Sequence, residues 1–260
     1  MNSLARQPAP TLPVEADFRP CAVVPVYNHE RTLPAVVTAL LAENLPCVLV
    51  DAASRPEGAR VIDELASQPN VHRVRHAHHL GKGAAVSSGL REAARLGFSH
   101  ALQVDADGQH DLSPVGLFLD RACQVPEAVI CGYPEYDESV PKGRLYARYL
   151  THVWVWINTL SLSIRDSMCG FRVYPLGPTL ALLDSVELGK RMDFDTEILV
   201  RLHWREQPMV WLPTRGHYPE DGVSHFRLWL DNLLISRMHA RLFFGMLVRA
   251  PRLLWRRWQR

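Results

Sequence analysis

The sequence lacks a charge of one dominant sign, closely paired cysteines and long apolar runs. Its 29 Lys and Arg residues nearly balance 27 Asp and Glu residues, which gives a formal net charge of +2. No global field favours a polyanion, so we expect no nucleic-acid partner. The 5 cysteines show no CxxC spacing, which argues against a disulfide framework or structural zinc and fits a reducing cytosol.

The apolar segments that export or membrane insertion require are also missing. Residues 1–20 are rich in proline and contain no continuous apolar stretch, so they predict a flexible lead-in and not a signal peptide. Charged side chains interrupt every candidate span of about 18 apolar residues, the length that a spanning helix needs. The sequence therefore predicts a cytoplasmic protein with no transmembrane helix.

What is present is an alternation of short apolar runs with helix-like stretches between Cys21 and Cys131. The runs are CAVVPV, CVLV, VHRV, ALQV and AVIC. Alternation of this kind predicts an α/β fold, with a doubly wound, mostly parallel sheet flanked by helices. Ligands of such sheets bind at the carboxyl ends of the strands, so the loops after the strands are candidate sites.

The pattern changes after Cys131. We expect a helix from Arg144 to about Leu162, then the segment GFRVYP, a helix near Leu176 and the segment MDFDTEILVRL, which together shape an acceptor side. From position 226 onward, apolar residues recur at helical spacing with arginines between them. We therefore divide the chain into a lead-in (1–20), a main domain (21–225) and a basic amphipathic C-terminal helical segment (226–260).

The segment DADGQHD carries the strongest chemical signal. Asp105 and Asp107 follow an apolar run, and paired carboxylates at a strand end suit Mg²⁺ or Mn²⁺, with Gln109 as a further ligand. Such an ion would neutralise a departing diphosphate. The alternative is a solvated turn, since Asp and Gly are common turn formers.

Two further segments carry polar candidates with open alternatives. Lys82, at the start of a predicted helix, could reach a phosphate near the helix N-terminus or could be solvated. In MDFDTE, Asp195 or Glu197 could deprotonate a hydroxyl acceptor, or these acids could cap a helix. A phosphate acceptor arrives already ionised, so the acceptor type decides whether a base is needed.

The strings PVYN, VDAAS, GKGAA and DADGQH occur in this order, each after a predicted strand. In this the chain resembles the family 2 glycosyltransferases of GT-A fold, and in particular the branch of dolichyl-phosphate mannose and glucose synthases with their bacterial relatives. The resemblance implies an inverting hexosyltransferase that uses a UDP- or GDP-sugar, a divalent metal and a lipid-linked or amphipathic acceptor. It also implies peripheral attachment to the inner face of a membrane, for which the basic, aromatic C-terminal segment is suited; packing of that segment on the domain is an equal alternative.

The resemblance also implies roles for individual residues. Those expected to bind the donor are Pro25, Tyr27, Asn28, Val50, Asp51, Lys82, Asp105, Ala106, Asp107 and Arg148. Asp105, Asp107 and Gln109 would hold the metal. Asp195 and Glu197, with Arg172 of the GFR string, are the candidates for catalysis.

The chain departs from the family pattern at several of these positions. Ala52 replaces the second acid of the usual VDDGS, which leaves the nucleotide open, and His29 interrupts the usual YNE. Pro134, Pro219 and His225 stand where arginines and a lysine are usual, which predicts an acceptor other than standard dolichyl phosphate. Two alternatives stay open: a nucleotidyltransferase of similar fold, for which PVYNHER is a poor match, and a non-catalytic GT-A-like binding protein.

Overall fold

The structure, a computed structural model, describes residues 18–135, 142–215 and 227–258. Its strands are β1 (Pro20–Val26), β2 (Cys47–Asp51), β3 (Val71–Arg75), β4 (His100–Gln103), β5 (Val129–Glu135), β6 (Arg172–Pro175) and β7 (Met209–Arg215). Its helices are α1 (Leu33–Ala42), α2 (Pro56–Ala66), α3 (Lys82–Arg95), α4 (Val115–Gln124), α5 (Lys142–Thr159), α6 (Leu176–Ser185), α7 (Phe194–Trp204) and α8 (Leu228–Trp258).

The seven strands form one sheet in the order β3-β2-β1-β4-β6-β5-β7. All neighbouring strands are parallel except β6, which runs antiparallel to both β4 and β5. The predicted α/β fold with a doubly wound, mostly parallel sheet is confirmed. The five predicted strands are β1 to β5, the string GFRVYP contains β6, and β7 was not predicted.

Both faces of the sheet are covered, which explains why the central strands read as continuous apolar runs. One core cluster joins the sheet to α1, α2 and α4, and the other joins it to α3, α6, α7 and α8. Helix α3 lies close to the strands at Gly89, where a Cβ atom would come within 2.3 Å of Val23 Cγ1. This close approach allows the middle of α3 to pack directly on the middle of β1.

The C-terminal segment forms a single long helix, α8, which packs on α5 and α7. Met238, Leu242, Met246 and Leu253 are buried in the core. The opposite face leaves large apolar side chains exposed, with Trp229 at 92% and Trp258 at 84% of their full accessibility. The helix therefore packs on the domain with one face and presents apolar side chains on the other. None of the helices within the described ranges combines the length and the apolar composition of a membrane-spanning segment.

The strand order changes direction at β1 and β4, which are adjacent although β2 and β3 lie between them in sequence. Such a switch point opens a crevice at the carboxyl ends of the strands. The loops after β1 and β4 border this crevice, and the second contains DADGQHD. The fold therefore places the acidic loop where ligands of open α/β sheets bind.

Candidate active site

The acidic loop after β4 lines a pocket. Its lining residues are Asp105, Asp107, Gln109, His110, Pro134, Arg148, Met168, Cys169, Gly170 and Thr214. They come from the β4 loop, from β5, α5 and β7, and from the segment before β6. All three predicted metal ligands thus line the same pocket as Arg148.

A tight turn shapes the acidic loop. Gly108 has a φ of 72°, in the left-handed region that glycine adopts without strain. Asp107 Oδ1 accepts a hydrogen bond of 3.0 Å from the Gln109 backbone N–H, and Thr32 Oγ1 donates one of 2.6 Å to the Ala106 carbonyl. The Asp-Gly pair does form a turn, as the alternative reading expected, and this turn also directs both carboxylates toward the pocket.

Lys82 lies between two carboxylates and is not a solvated side chain. Its Nζ is 2.8 Å from Asp105 Oδ2 and 3.0 Å from Asp195 Oδ2. Burial alone would lower the pKa of Lys82, but these two acids outweigh burial and raise it. The lysine is therefore a fixed cation at the start of α3, beside the acidic loop.

The two oxygens of Asp105 differ in their contacts. Oδ2 pairs with Lys82 and lies 3.7 Å from His110 Nε2, whereas the buried Oδ1 accepts no hydrogen bond from the residues that the structure describes. Burial alone would raise the pKa of Asp105, but Lys82 and His110 lower it, so the group is a carboxylate at neutral pH. A buried carboxylate oxygen without a partner is costly unless a donor or a cation reaches it.

These oxygen donors fit Mg²⁺ or Mn²⁺. Asp105, Asp107 and the Gln109 side-chain amide offer the hard ligands that such ions take. Among the described residues, no group of three or more His, Cys, Asp or Glu side chains could hold a metal alone. An ion here would therefore complete its shell with phosphate oxygens and water, as Mg²⁺ commonly does in transferase sites.

Asp195 and Arg172 lie next to the pocket wall. Both Asp195 oxygens have partners: Oδ1 accepts a hydrogen bond of 2.9 Å from Gln103 Nε2, and Oδ2 forms an ion pair with Lys82. Arg172 is fully buried and donates to the backbone carbonyls of Asp195 at 2.7 Å and of Ser167 at 2.8 Å. Arg172 therefore supports the start of α7 from within the core, and its expected role in catalysis stays a prediction.

Glu197 occupies a structural position as well. Its side chain is fully buried and pairs with Arg201 at 2.7 Å and with Arg241 of α8 at 2.6 Å. Its Oε2 also accepts a hydrogen bond of 2.9 Å from the Gly189 backbone N–H. Two arginines and a backbone N–H thus hold Glu197, which is not among the residues that line the pocket. Its expected role in catalysis stays a prediction.

The residues expected to bind the nucleoside come together at the ends of β1 and β2. Pro25 pairs in register with Val50, and the Tyr27 ring lies 3.9 Å from the ring of His79. Asp51 is 1% exposed and is held by Arg75 at 2.7 Å and by the Ser54 N–H at 2.8 Å. Asn28, with a φ of 58°, connects the two loops, since it accepts from Arg55 N–H and donates its own N–H to Ser54 Oγ.

Several residues that shape the site were not predicted from the sequence. Gly170 packs directly on the ion pair, because a Cβ there would lie 3.0 Å from Lys82 Nζ and 3.1 Å from Asp105 Oδ2. Asp166 binds Arg148, and Thr214 of β7 lines the pocket. The CGFR string was the only signal for Gly170. The side chain of Arg144 and the residues Pro219 and His225 lie outside the described part of the chain.

The family model described as Glycosyl transferase family 2 matches residues 21–183. The match covers more than half of the chain, and the protein belongs to glycosyl transferase family 2. The predicted family and the prediction of a glycosyltransferase are thereby confirmed.

Relatives and a solved structure agree with this assignment. The chain is 27% identical over 200 residues to dolichyl-phosphate beta-glucosyltransferase ALG5D of Trichomonas vaginalis, covering 68% of this chain but only 59% of the relative. It is 29% identical over 219 residues to UDP-N-acetylglucosamine–dolichyl-phosphate N-acetylglucosaminyltransferase of Methanococcus voltae, covering 78% and 87%. The mannosyltransferase PcManGT from Pyrobaculum calidifontis, solved with GDP-Man and Mn²⁺, matches with a TM-score of 0.57 and 14% identity over 94% of this chain and 68% of that one. At that identity the structural likeness shows the shared GT-A fold.

Proposed function

We propose that the protein transfers a sugar from a UDP- or GDP-sugar to a lipid phosphate, with inversion at the anomeric carbon. The observation that carries this proposal is the pocket itself: Asp105 and Asp107 line it together with Arg148, and Lys82 pairs with Asp105. Two relatives are named as dolichyl-phosphate transferases, and a structural neighbour was solved with a nucleotide sugar and Mn²⁺. These names support the donor and acceptor classes.

The donor would bind across the switch point. Its nucleoside would lie beside Tyr27 and the ends of β1 and β2, and its diphosphate would reach the acidic loop. Asp105, Asp107 and Gln109 would hold Mg²⁺ or Mn²⁺, which supplies charge neutralisation for the departing diphosphate. Lys82, fixed as a cation beside Asp105, would contact the same phosphates.

The two acids considered as a catalytic base, Asp195 and Glu197, are both paired with other side chains, which favours a phosphate acceptor. Both Asp195 oxygens are bound by Gln103 and Lys82, and Glu197 is bound by two arginines. A hydroxyl acceptor needs a base within hydrogen-bond reach, whereas a phosphate oxygen attacks without losing a proton. In the proposed step this oxygen bonds to the anomeric carbon as the bond to the diphosphate breaks, and the electron pair leaves with the nucleoside diphosphate.

The exposed face of α8 would lie on the membrane that carries the acceptor. It presents Trp229, Trp255 and Trp258 together with arginines, a combination typical of helices at lipid interfaces. Exposed apolar side chains continue on α5, the helix that carries Arg148 and packs on α8. Attachment would be peripheral, at the cytoplasmic face.

A transfer assay tests the acceptor class. Purified full-length protein is incubated with Mn²⁺, a set of labelled UDP- and GDP-sugars and either a polyprenyl phosphate or the matching polyprenol in detergent. We expect sugar transfer to the phosphate and none to the alcohol. Transfer to polyprenol alone would contradict the phosphate assignment, and no turnover with any donor would favour the non-catalytic alternative.

A further inference from the structure

One buried carboxylate, Asp166, connects two parts of the pocket wall. It is 2% exposed and lies in the segment between α5 and β6. Its Oδ2 accepts from Arg148, at 2.7 Å from Nε and 2.5 Å from Nη2. Its Oδ1 accepts from the backbone N–H groups of Met168 at 2.8 Å and Cys169 at 2.7 Å.

Both sets of partners line the pocket. Arg148 reaches it from α5, and Met168, Cys169 and Gly170 form the adjoining wall. Gly170 in turn packs on the Lys82–Asp105 ion pair. A single side chain therefore fixes the direction of an arginine and the position of a backbone segment that contacts the acidic end of the site.

The charge state of Asp166 suits this role. Burial alone would raise its pKa, but His152, 3.6 Å away, and Arg148 lower it to about 2. Asp166 is therefore ionised over the whole physiological range. A guanidinium is a planar fork of donors, so a carboxylate that binds its Nε edge sets the orientation of the whole group.

We propose that Arg148, which the resemblance assigned to donor binding, instead receives the acceptor phosphate, and that Asp166 is a positioning residue that holds the Arg148 guanidinium in that direction. The inference rests on the proposed function, because it requires a phosphate acceptor. Asp166 acts through Arg148 and does not touch the substrate. It therefore affects acceptor binding more than donor binding.

The test is a kinetic comparison of Asp166→Asn, Arg148→Ala and the double variant with the wild type. Asp166→Asn removes the charge that binds Arg148 but keeps the shape of the side chain and an oxygen that can accept from the Met168 and Cys169 N–H groups, so the backbone segment stays in place. We expect the acceptor KM to rise about tenfold, equivalent to about 1.4 kcal/mol, with the donor KM unchanged. Because Asp166 acts through Arg148, adding Asp166→Asn to Arg148→Ala should raise the acceptor KM no further. If the two substitutions together raised the acceptor KM by the product of their separate effects, the inference would be overturned. An increase in the donor KM as large as that in the acceptor KM would also overturn it.

Asp231→Asn provides a matched control. Asp231 is also buried, pairs with an arginine (Arg191, at 2.7 Å) and accepts from a backbone N–H (Arg227, at 2.6 Å), but these two partners, unlike those of Asp166, do not line the pocket. We expect it to lower the unfolding midpoint without changing the acceptor KM. An acceptor KM raised as much as in Asp166→Asn would show a general effect of losing a buried acid.

Two outcomes separate this inference from the proposed function. If the wild type transfers sugar to polyprenyl phosphate but Asp166→Asn has wild-type kinetics, only the inference fails; if the wild type transfers none, both fail. Should Asp166→Asn not fold, Arg148→Lys replaces it, because lysine keeps the cation but loses the two-point contact with Asp166. An unchanged acceptor KM in Arg148→Lys would then contradict the inference.

Discussion

Gly170 shows how a residue without a side chain controls the charged groups of the site. A methyl group there would approach Gln103 Nε2 to 2.9 Å, Lys82 Nζ to 3.0 Å and Asp105 Oδ2 to 3.1 Å. These are the atoms that hold Asp105 and Asp195 in place. Room at Gly170 is therefore a condition for the arrangement of Lys82 and its two carboxylate partners, Asp105 and Asp195.

Gly170→Ala should lower kcat/KM by about tenfold or more, since displacing one hydrogen-bonded charged group costs about 1.5–3 kcal/mol. The control is Gly177→Ala on α6, where an added Cβ meets nothing within 4 Å. Initial-rate kinetics of both variants check the prediction. Wild-type activity in Gly170→Ala would mean that the ion pair tolerates displacement.

At the residue scale, sequence identified the ligand types but not their partners. The DADGQH string led to Asp105, Asp107 and Gln109 because turn and metal chemistry are local. The contact of Lys82 with Asp195 spans two distant segments of the chain and depends on how α3 and α7 pack. The same limit hid Asp166, whose partner Arg148 lies in a different element. Glu197 matched a motif, but its ion pair with Arg241 of α8 joins distant segments and could not be read from the sequence.

The interface between α5 and α8 contains a buried polar pair, Asn158 and His239. Asn158 Nδ2 lies 3.2 Å from His239 Nδ1, and the buried His239 Nε2 has no hydrogen-bond partner within the described ranges of the chain. Burial lowers the pKa of His239 from 6.5 to about 4. The histidine is therefore neutral in the folded protein at pH values at which it would be protonated in the unfolded chain.

Acidification should weaken this interface. Between about pH 6.5 and pH 4 the unfolded chain binds a proton at His239 that the folded protein does not. The free energy of unfolding therefore decreases as the pH is lowered, by about 2 kcal/mol at pH 5. His239→Gln removes this contribution. Urea unfolding at pH 7 and pH 5 checks it: the variant should lose less stability than the wild type, and equal losses would show that His239 does not titrate as described.

At the element scale, the sequence predicted β1 to β5, the helices between them and α5, because their apolar patterns and flanking turns are local signals. Strand β7 was missed, since MVWLPTR contains a proline and lacks clear alternation. The insertion of β6 between β4 and β5, antiparallel to both, could not be predicted, because strand order depends on contacts between distant segments.

For the whole molecule, the arrangement of α5 and α8 predicts membrane attachment through one side of the domain. Replacing Trp255 and Trp258 by serine removes two side chains that are exposed and therefore dispensable for the core. Loss of their insertion should weaken binding to anionic vesicles about tenfold or more. Vesicle sedimentation measures the change.

Leu117→Ser is the control for that measurement, since Leu117 is 54% exposed on α4, which packs on the opposite face of the sheet. It should bind vesicles like the wild type. Equal binding by all three proteins would contradict the proposed membrane surface. Substitution is preferable to truncation at Ala250, because Arg252 and Arg256 pair with Glu206 and Arg256 donates to the carbonyl at the end of α7.

The central claim for the whole molecule is a metal-dependent donor site at the Asp105–Asp107 turn. The most direct test is calorimetric titration of UDP- and GDP-sugars into the wild type and into Asp107→Ala, with and without Mn²⁺. We predict that one nucleotide class binds the wild type only with Mn²⁺ and that Asp107→Ala, still folded, loses this binding. Equal binding with and without Mn²⁺, or full binding by Asp107→Ala, would contradict the account.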